Sequence, residues 1–144
     1  MASYLADITD ELLTAAFAKS WGPDTMRVQD QYKWDPANPS LDQCCITTLV
    51  ANAIAGYTAY VCPMVDRDNK VVEDDVHYFN LRPDGNIYDG SADQFNHNGL
   101  KPVYEKKRKV QPEKLFRTKH VRDRFELLEP RVRKALEELS RPQI

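Results

Sequence analysis

The sequence predicts an α+β fold in a single domain spanning 1–144: N-terminal helices packed on a small antiparallel sheet, then C-terminal helices. Three observations lead there. A chain of 144 residues suits one compact domain. Its composition, 42% hydrophobic and 29% charged, is that of an ordinary globular protein. The apolar period is helical at first, becomes strand-like in the middle third, and is helical again at the end.

Ile8 to Trp21 reads as the first helix. Ile8, Leu12, Leu13, Ala16 and Phe17 recur at helical spacing, and Gly22-Pro23 stops the run. Trp21 to Pro39 reads as a polar loop, with Trp34 as an anchor into the core. A second helix is expected from Leu41–Gln43 through Ala55, started by Pro39-Ser40 or Asp42 and ended by Gly56. Ile46, Leu49, Val50, Ala53 and Ile54 make that helix apolar enough for deep burial.

Tyr57 to Asp66 is rich in β-formers, and Asp66–Lys70 is a turn. Val71-Val72 continues a hairpin, and Val76 to Leu81 is a further strand. Pro83-Asp84-Gly85 turns the chain into Asn86–Asp89. Gly90–Gly99 reads as loop and Pro102-Val103-Tyr104 as an edge strand. Glu113 to Phe116 is a short helical turn. Val121, Phe125, Leu128, Val132, Leu136 and Leu139 form one stripe, with Pro130 opening a second helix within it.

Composition excludes several classes. No apolar run approaches the roughly 18 residues needed to cross a bilayer, so no membrane association is expected. Residues 1–10 lack the basic-then-apolar order of a secretory signal, and three Cys are few for a disulfide scaffold. A cytoplasmic protein with free thiols is expected. The net charge of −2 conceals an acidic first part, −9 over residues 1–99, and a basic remainder, +7 over residues 100–144. The basic segment is expected to pack over the acidic part. Its sparse aromatics, Tyr104, Phe116 and Phe125, carry no nucleic-acid motif, so nucleic acid is not an expected partner.

Three residues suit thiol chemistry. Cys44 falls in the first turn of the buried helix, where unpaired amides favour a thiolate and can hold an oxyanion. His77, on a strand, is a candidate base and acid. Asp89, across the hairpin, is a candidate to fix the imidazole tautomer. Tight pairing places Asp89 opposite Tyr78–Phe79, so reaching His77 requires a stagger. Cys45 and Cys62 read as packing, and His97 and His120 as surface residues. Cys44, Cys45, His77 and Asp89 are metal-ligand types, but no Cys-x-x-Cys or His-x-x-x-His spacing accompanies them. Neither metal nor cofactor is expected, and no Gly-rich phosphate loop is present.

The residues Asn38-Pro39-Ser40-Leu41-Asp42-Gln43-Cys44-Cys45-Ile46-Thr47-Thr48-Leu49-Val50 resemble the Pro-Ser-x-Gly-Gln-Cys-x-x-Thr-Ala-Leu-Val segment of the YunG-like family of small bacterial proteins. His77-Tyr78-Phe79-Asn80 is similar to that family's His-Tyr-x-Asn. Tyr88-Asp89-Gly90-Ser91-Ala92-Asp93-Gln94-Phe95 is similar to its Ile-Asp-Leu-Thr-x-x-Gln-Phe. Weaker matches extend the resemblance over roughly residues 17–128. The Cys…His…Asp order on helix, strand and strand is similar to the papain-like and transglutaminase-like core. The resemblance implies Cys44 as nucleophile, His77 as base and acid, and Asp89 as orienter. Gln43 or Asn38 would assist an oxyanion, and Asn80 and Gln94 would line or brace the site. One residue departs from the pattern: Asp42 stands where the family has Gly. Its carboxylate could cap the helix, oppose a thiolate or crowd a substrate.

The expected function is cysteine-dependent acyl hydrolysis or transfer, on an amide, isopeptide or ester of a protein, peptide or small molecule. The alternative is an inactive relative that binds a partner through its basic C-terminal helices.

Overall fold

The structure is a computed structural model, and it describes residues 8–95 and 99–141. Helix α1 (Asp10–Ser20) starts where Thr9 caps the Leu12 amide at 3.1 Å. It buries Leu13, Ala16 and Phe17. The loop after it is built from two 3-10 turns, Pro23–Thr25 and Val28–Lys33. Trp34 ends the second turn half-buried and outside the main apolar cluster, with its indole N–H enclosed and unpartnered. It is therefore not the core anchor that its size suggests.

Helix α2 (Cys44–Ala55) begins after the expected Leu41–Gln43 start, and the reason lies in the backbone. Asp42 has φ +57°, a left-handed conformation that cannot belong to the helix. The Leu41 amide donates to Asn38 O at 3.2 Å and the Gln43 amide to Ser40 O at 3.1 Å. Gln43 is the N-cap, so neither Ser40 nor Asp42 caps the helix. No side-chain bond closes this end, which leaves the first-turn amides uncapped. Gly56, at φ +73°, ends the helix in the left-handed conformation that glycine adopts without strain.

Strands β1 (Thr58–Val65) and β2 (Val71–Leu81) pair antiparallel, with Cys62 opposite His77 and Ala59 opposite Asn80. The two runs at Val71 and Val76 belong to one strand. The register jumps from Pro63↔Val76 to Val65↔Val71, so β2 carries the surplus residues as a bulge rather than a break. The Asp66–Lys70 turn closes as expected, with the Asp66 carboxylate accepting from the Asp68 and Lys70 amides at 2.8 and 3.1 Å. Strand β3 (Ile87–Tyr88) follows the Gly85 turn and pairs with β2. Strands β4 (Lys101–Pro102) and β5 (Arg108–Lys109) both pair with β1, giving the order β3-β2-β1-β4 with β5 also beside β1. Tyr104 lies in a 3-10 turn between β4 and β5, not on an edge strand.

A one-turn helix α3 (Pro112–Leu115) precedes α4 (Lys119–Ser140), a single 22-residue helix. Pro130 lies inside α4 and does not open a new helix. A proline in a helix interior costs about 3 kcal/mol. Burial of Val121, Leu128, Val132 and Leu136 on either side offsets that, at about 1.5–3 kcal/mol per large side chain. The core joins Leu13 and Phe17 of α1, Ile46, Leu49 and Val50 of α2, Tyr88 of β3 and the α4 stripe. Among the described residues no helix is long and apolar enough to cross a membrane.

Only part of the basic segment packs on the acidic part. Arg131 grips Asp24 with two bonds, at 2.9 and 2.5 Å. Lys119 and Arg133 instead pair within α4, with Asp123 and Glu129, and Arg141 at its C-cap pairs back to Glu137.

Candidate active site

Cys44 occupies the first position of α2, at the end where unpaired backbone N–H groups collect. It is partly exposed and its thiol is free. His77 lies on β2 with no exposed surface. The two residues line one small cavity of about 100 Å³, together with Asp42, Met64, Gln94 and Phe95.

Register explains how Asp89 reaches His77. Tyr88 pairs with Asn80, so Asp89 comes to lie one step further, beside Phe79. Alternation along β2 puts His77 and Phe79 on one face, and Asp89 reaches diagonally across it. Its Oδ2 lies 2.6 Å from His77 Nε2. The same oxygen accepts from the Tyr104 hydroxyl at 2.5 Å. Phe95 meets the imidazole edge-on, with ring centres 4.7 Å apart, and Phe79 lies nearly parallel to it at 6.3 Å. The ring is thereby held in position as well as in tautomer.

With Nε2 engaged, Nδ1 is the nitrogen left for other work. It is buried and outside strict hydrogen-bond geometry with any group. Cys44 is still close enough for its sulfur to act on the ring. Burial opposes a charged imidazole, but the Asp89 bond and the Cys44 thiol outweigh it and lift the His77 pKa to about 9. The other thiols are quiet. Burial, then the neighbouring Cys44, pushes Cys45 up to about 12, and burial pushes Cys62 up to about 11.

The remaining sequence candidates are structural supports. The Gln43 carbonyl accepts from Thr25 Oγ1 at 2.9 Å, and its Nε2 donates to Gly22 O at 3.2 Å. It lines neither cavity beside Cys44, and nor does Asn38, whose backbone closes the turn before α2. Asn80 donates to Thr48 O at 3.1 Å, tying β2 to α2. Gln94 lines the small cavity and accepts from the Asp42 amide at 3.2 Å, while its Nε2 donates to Ser91. Asp42 itself lines the cavity, and burial, then Asp30, raises its pKa.

A larger cleft of about 370 Å³ also borders Cys44. Its walls include Arg27, Asp42, Cys45, Asp75, Tyr78, His120 and Arg124. Sequence reasoning missed Tyr104 and Arg124. Tyr104 meets Asp89 only through the fold, and Arg124, although its main partner His120 is one helical turn away, reaches the cleft and Thr25 only through the packing of α4. His120 is exposed, as expected, but has a partner in Arg124. His97 lies outside the described residues. Among the described residues no three His, Cys, Asp or Glu side chains converge as a metal site would.

The sequence model of one family, the YunG protein, matches residues 9–137. The chain belongs to the YunG family. The match runs from α1 nearly to the end of α4, so every YunG residue named above lies inside it. Neither the curated proteins nor the solved structures give a match to the chain.

Proposed function

We propose that this YunG protein is a cysteine-dependent acyl hydrolase or acyltransferase with a papain-like arrangement of Cys44, His77 and Asp89. The observation that carries the reading is the 2.6 Å bond from Asp89 to Nε2 of His77, whose ring lines the same small cavity as Cys44.

The chemistry follows from those positions. The Cys44 thiolate attacks the carbonyl carbon of an amide or ester. A C–S bond forms and the carbonyl π pair moves onto oxygen. Amides at the start of α2 hold that oxyanion. As the tetrahedral species collapses, the C–N or C–O bond breaks and His77 Nδ1 gives its proton to the leaving atom. Water or an amine then attacks the thioester and returns its proton to His77, and the thiolate departs. Asp89 holds the Nε2–H throughout, so Nδ1 stays aimed at the chemistry. Tyr104 keeps Asp89 in place.

The test is alkylation with iodoacetamide across pH, with adducts mapped by mass spectrometry. Selective modification of Cys44 with an apparent pKa well below about 8.5 supports the enzyme, and His77→Ala should abolish that selectivity. Slow, equal labelling of Cys44, Cys45 and Cys62 would instead favour an inert binding module.

A further inference from the structure

Arg124 is a buried cation without a counter-ion. Its residue is 7% exposed, and among the described residues no carboxylate pairs with it. A buried guanidinium ordinarily has an acidic partner. Here Nε donates to His120 O at 3.2 Å, Nη2 to His120 Nδ1 at 3.2 Å, and Nη1 to Thr25 O at a long 3.5 Å. Of five N–H groups, two have no acceptor. The head is thus clamped in orientation but not neutralised, and it forms part of the wall of the 370 Å³ cleft beside Cys44.

The neighbours decide what it would accept. Arg27 shares the cleft but is held by Asp30 at 2.8 Å. Asp42 and Asp75 stand on the same wall set and oppose a multiply charged anion. Burial, then repulsion from Arg124 and Arg27, lowers the His120 pKa and keeps its Nδ1 available as an acceptor. One guanidinium with no acidic partner and two N–H groups still free matches one carboxylate.

We propose that Arg124 anchors a free carboxylate on the acyl substrate, making this a site for carboxylate-bearing amides or esters. The proposal rests on the thiol reading above and deepens it. It assigns Arg124 to specificity, whereas a purely structural Arg124 would only hold α4 to the Thr25 turn.

The experiment uses the full chain and two alkylating probes that differ in one group, N-iodoacetylglycine and N-iodoacetylglycinamide. In both, the thiolate forms a C–S bond and iodide leaves with the C–I electrons. The readout is the ratio of Cys44 labelling rates, carboxylate probe over amide probe. Arg124→Gln should lower that ratio roughly tenfold, as expected for loss of a charge-assisted bidentate pair, and Arg124→Lys should restore part of it. In the unmutated protein, N-acetylglycine should protect Cys44 from the amide probe and N-acetylglycinamide should not, which needs no variant to fold. An unchanged ratio in Arg124→Gln, with Cys44 still labelled selectively by the amide probe, overturns the carboxylate anchor alone. So does absence of protection. A corresponding phosphonate probe that outpaces the carboxylate assigns the site to a dianion and also overturns it. Amide-probe labelling of Cys44 no faster than that of Cys62 removes the thiol reading, and this inference with it.

Discussion

Oδ2 of Asp89 accepts from both His77 and Tyr104, and its other oxygen is buried without a partner. Such a carboxylate depends on both donors. Tyr104→Phe should cost roughly 1.5–3 kcal/mol in urea denaturation, the range for a hydrogen bond to a charged group. His77 sets a pH dependence. Its folded pKa of about 9 lies above the ordinary 6.5, so the stabilisation it gives is fully present below pH 6.5 and is lost as pH rises through 9. Stability by denaturation should therefore fall between pH 6.5 and 9, and the decline should flatten in His77→Gln. Under the proposed mechanism, turnover of an amide should fall above about pH 9 as well, because the imidazolium that would protonate the leaving group is lost there. Asp42 offers a paired test. Its φ of +57° suits the glycine of the family pattern. Asp42→Gly should leave stability nearly unchanged, since relieved strain offsets added chain entropy, and should speed Cys44 alkylation about threefold or more. Asp42→Ala should lose about 1–2 kcal/mol through the same backbone angle. Cys44, His77 and Asp89 could be singled out in the sequence because each sits in a recognisable block. Tyr104 was not, because its contact with Asp89 depends on how an irregular segment folds back onto β1.

Elements were legible where the apolar period was strong and unreadable where tertiary packing overrode a local rule. Helices α1 and α2 end where Gly22 and Gly56 said they would. The start of α2 was misjudged because Ser40 and Asp42 look like caps, and an Asp suits a cap as readily as the left-handed conformation that Asp42 adopts. Charged residues between Val71 and Val76 read as an interruption, yet the strand absorbs them in a bulge. Two-residue strands such as β5 carry too few positions for any period to show. Pro130 marks the reverse case, a local breaker that the core stripe overrules. Pro130→Ala should restore the missing amide and raise stability by about 1–3 kcal/mol, as measured by chemical denaturation.

Across the whole molecule, the α+β class followed from the change of period, but the packing of α4 did not. That helix covers α1 and α2 and also supplies a wall of the cleft through Val121 and Arg124. Leu128, fully buried at its centre, should cost about 2–5 kcal/mol on truncation to Ala, read as a drop in denaturation midpoint. The charge asymmetry suggested broad contact between the two parts, yet among the described residues most of the side-chain hydrogen bonds between them come through Arg131 and Arg124, and strand pairing with β1 adds further contact. Three further pairs, Lys119–Asp123, Arg133–Glu129 and Arg141–Glu137, run along α4 itself, at i,i+4 spacing that the sequence already contained.

The side chain just before the sulfur is fastened to the Gly22–Thr25 turn, and that turn is in turn held by the final helix. Removing α4 would thus unfasten the residue that precedes Cys44, although Cys44, His77 and Asp89 all lie ahead of that helix in the chain.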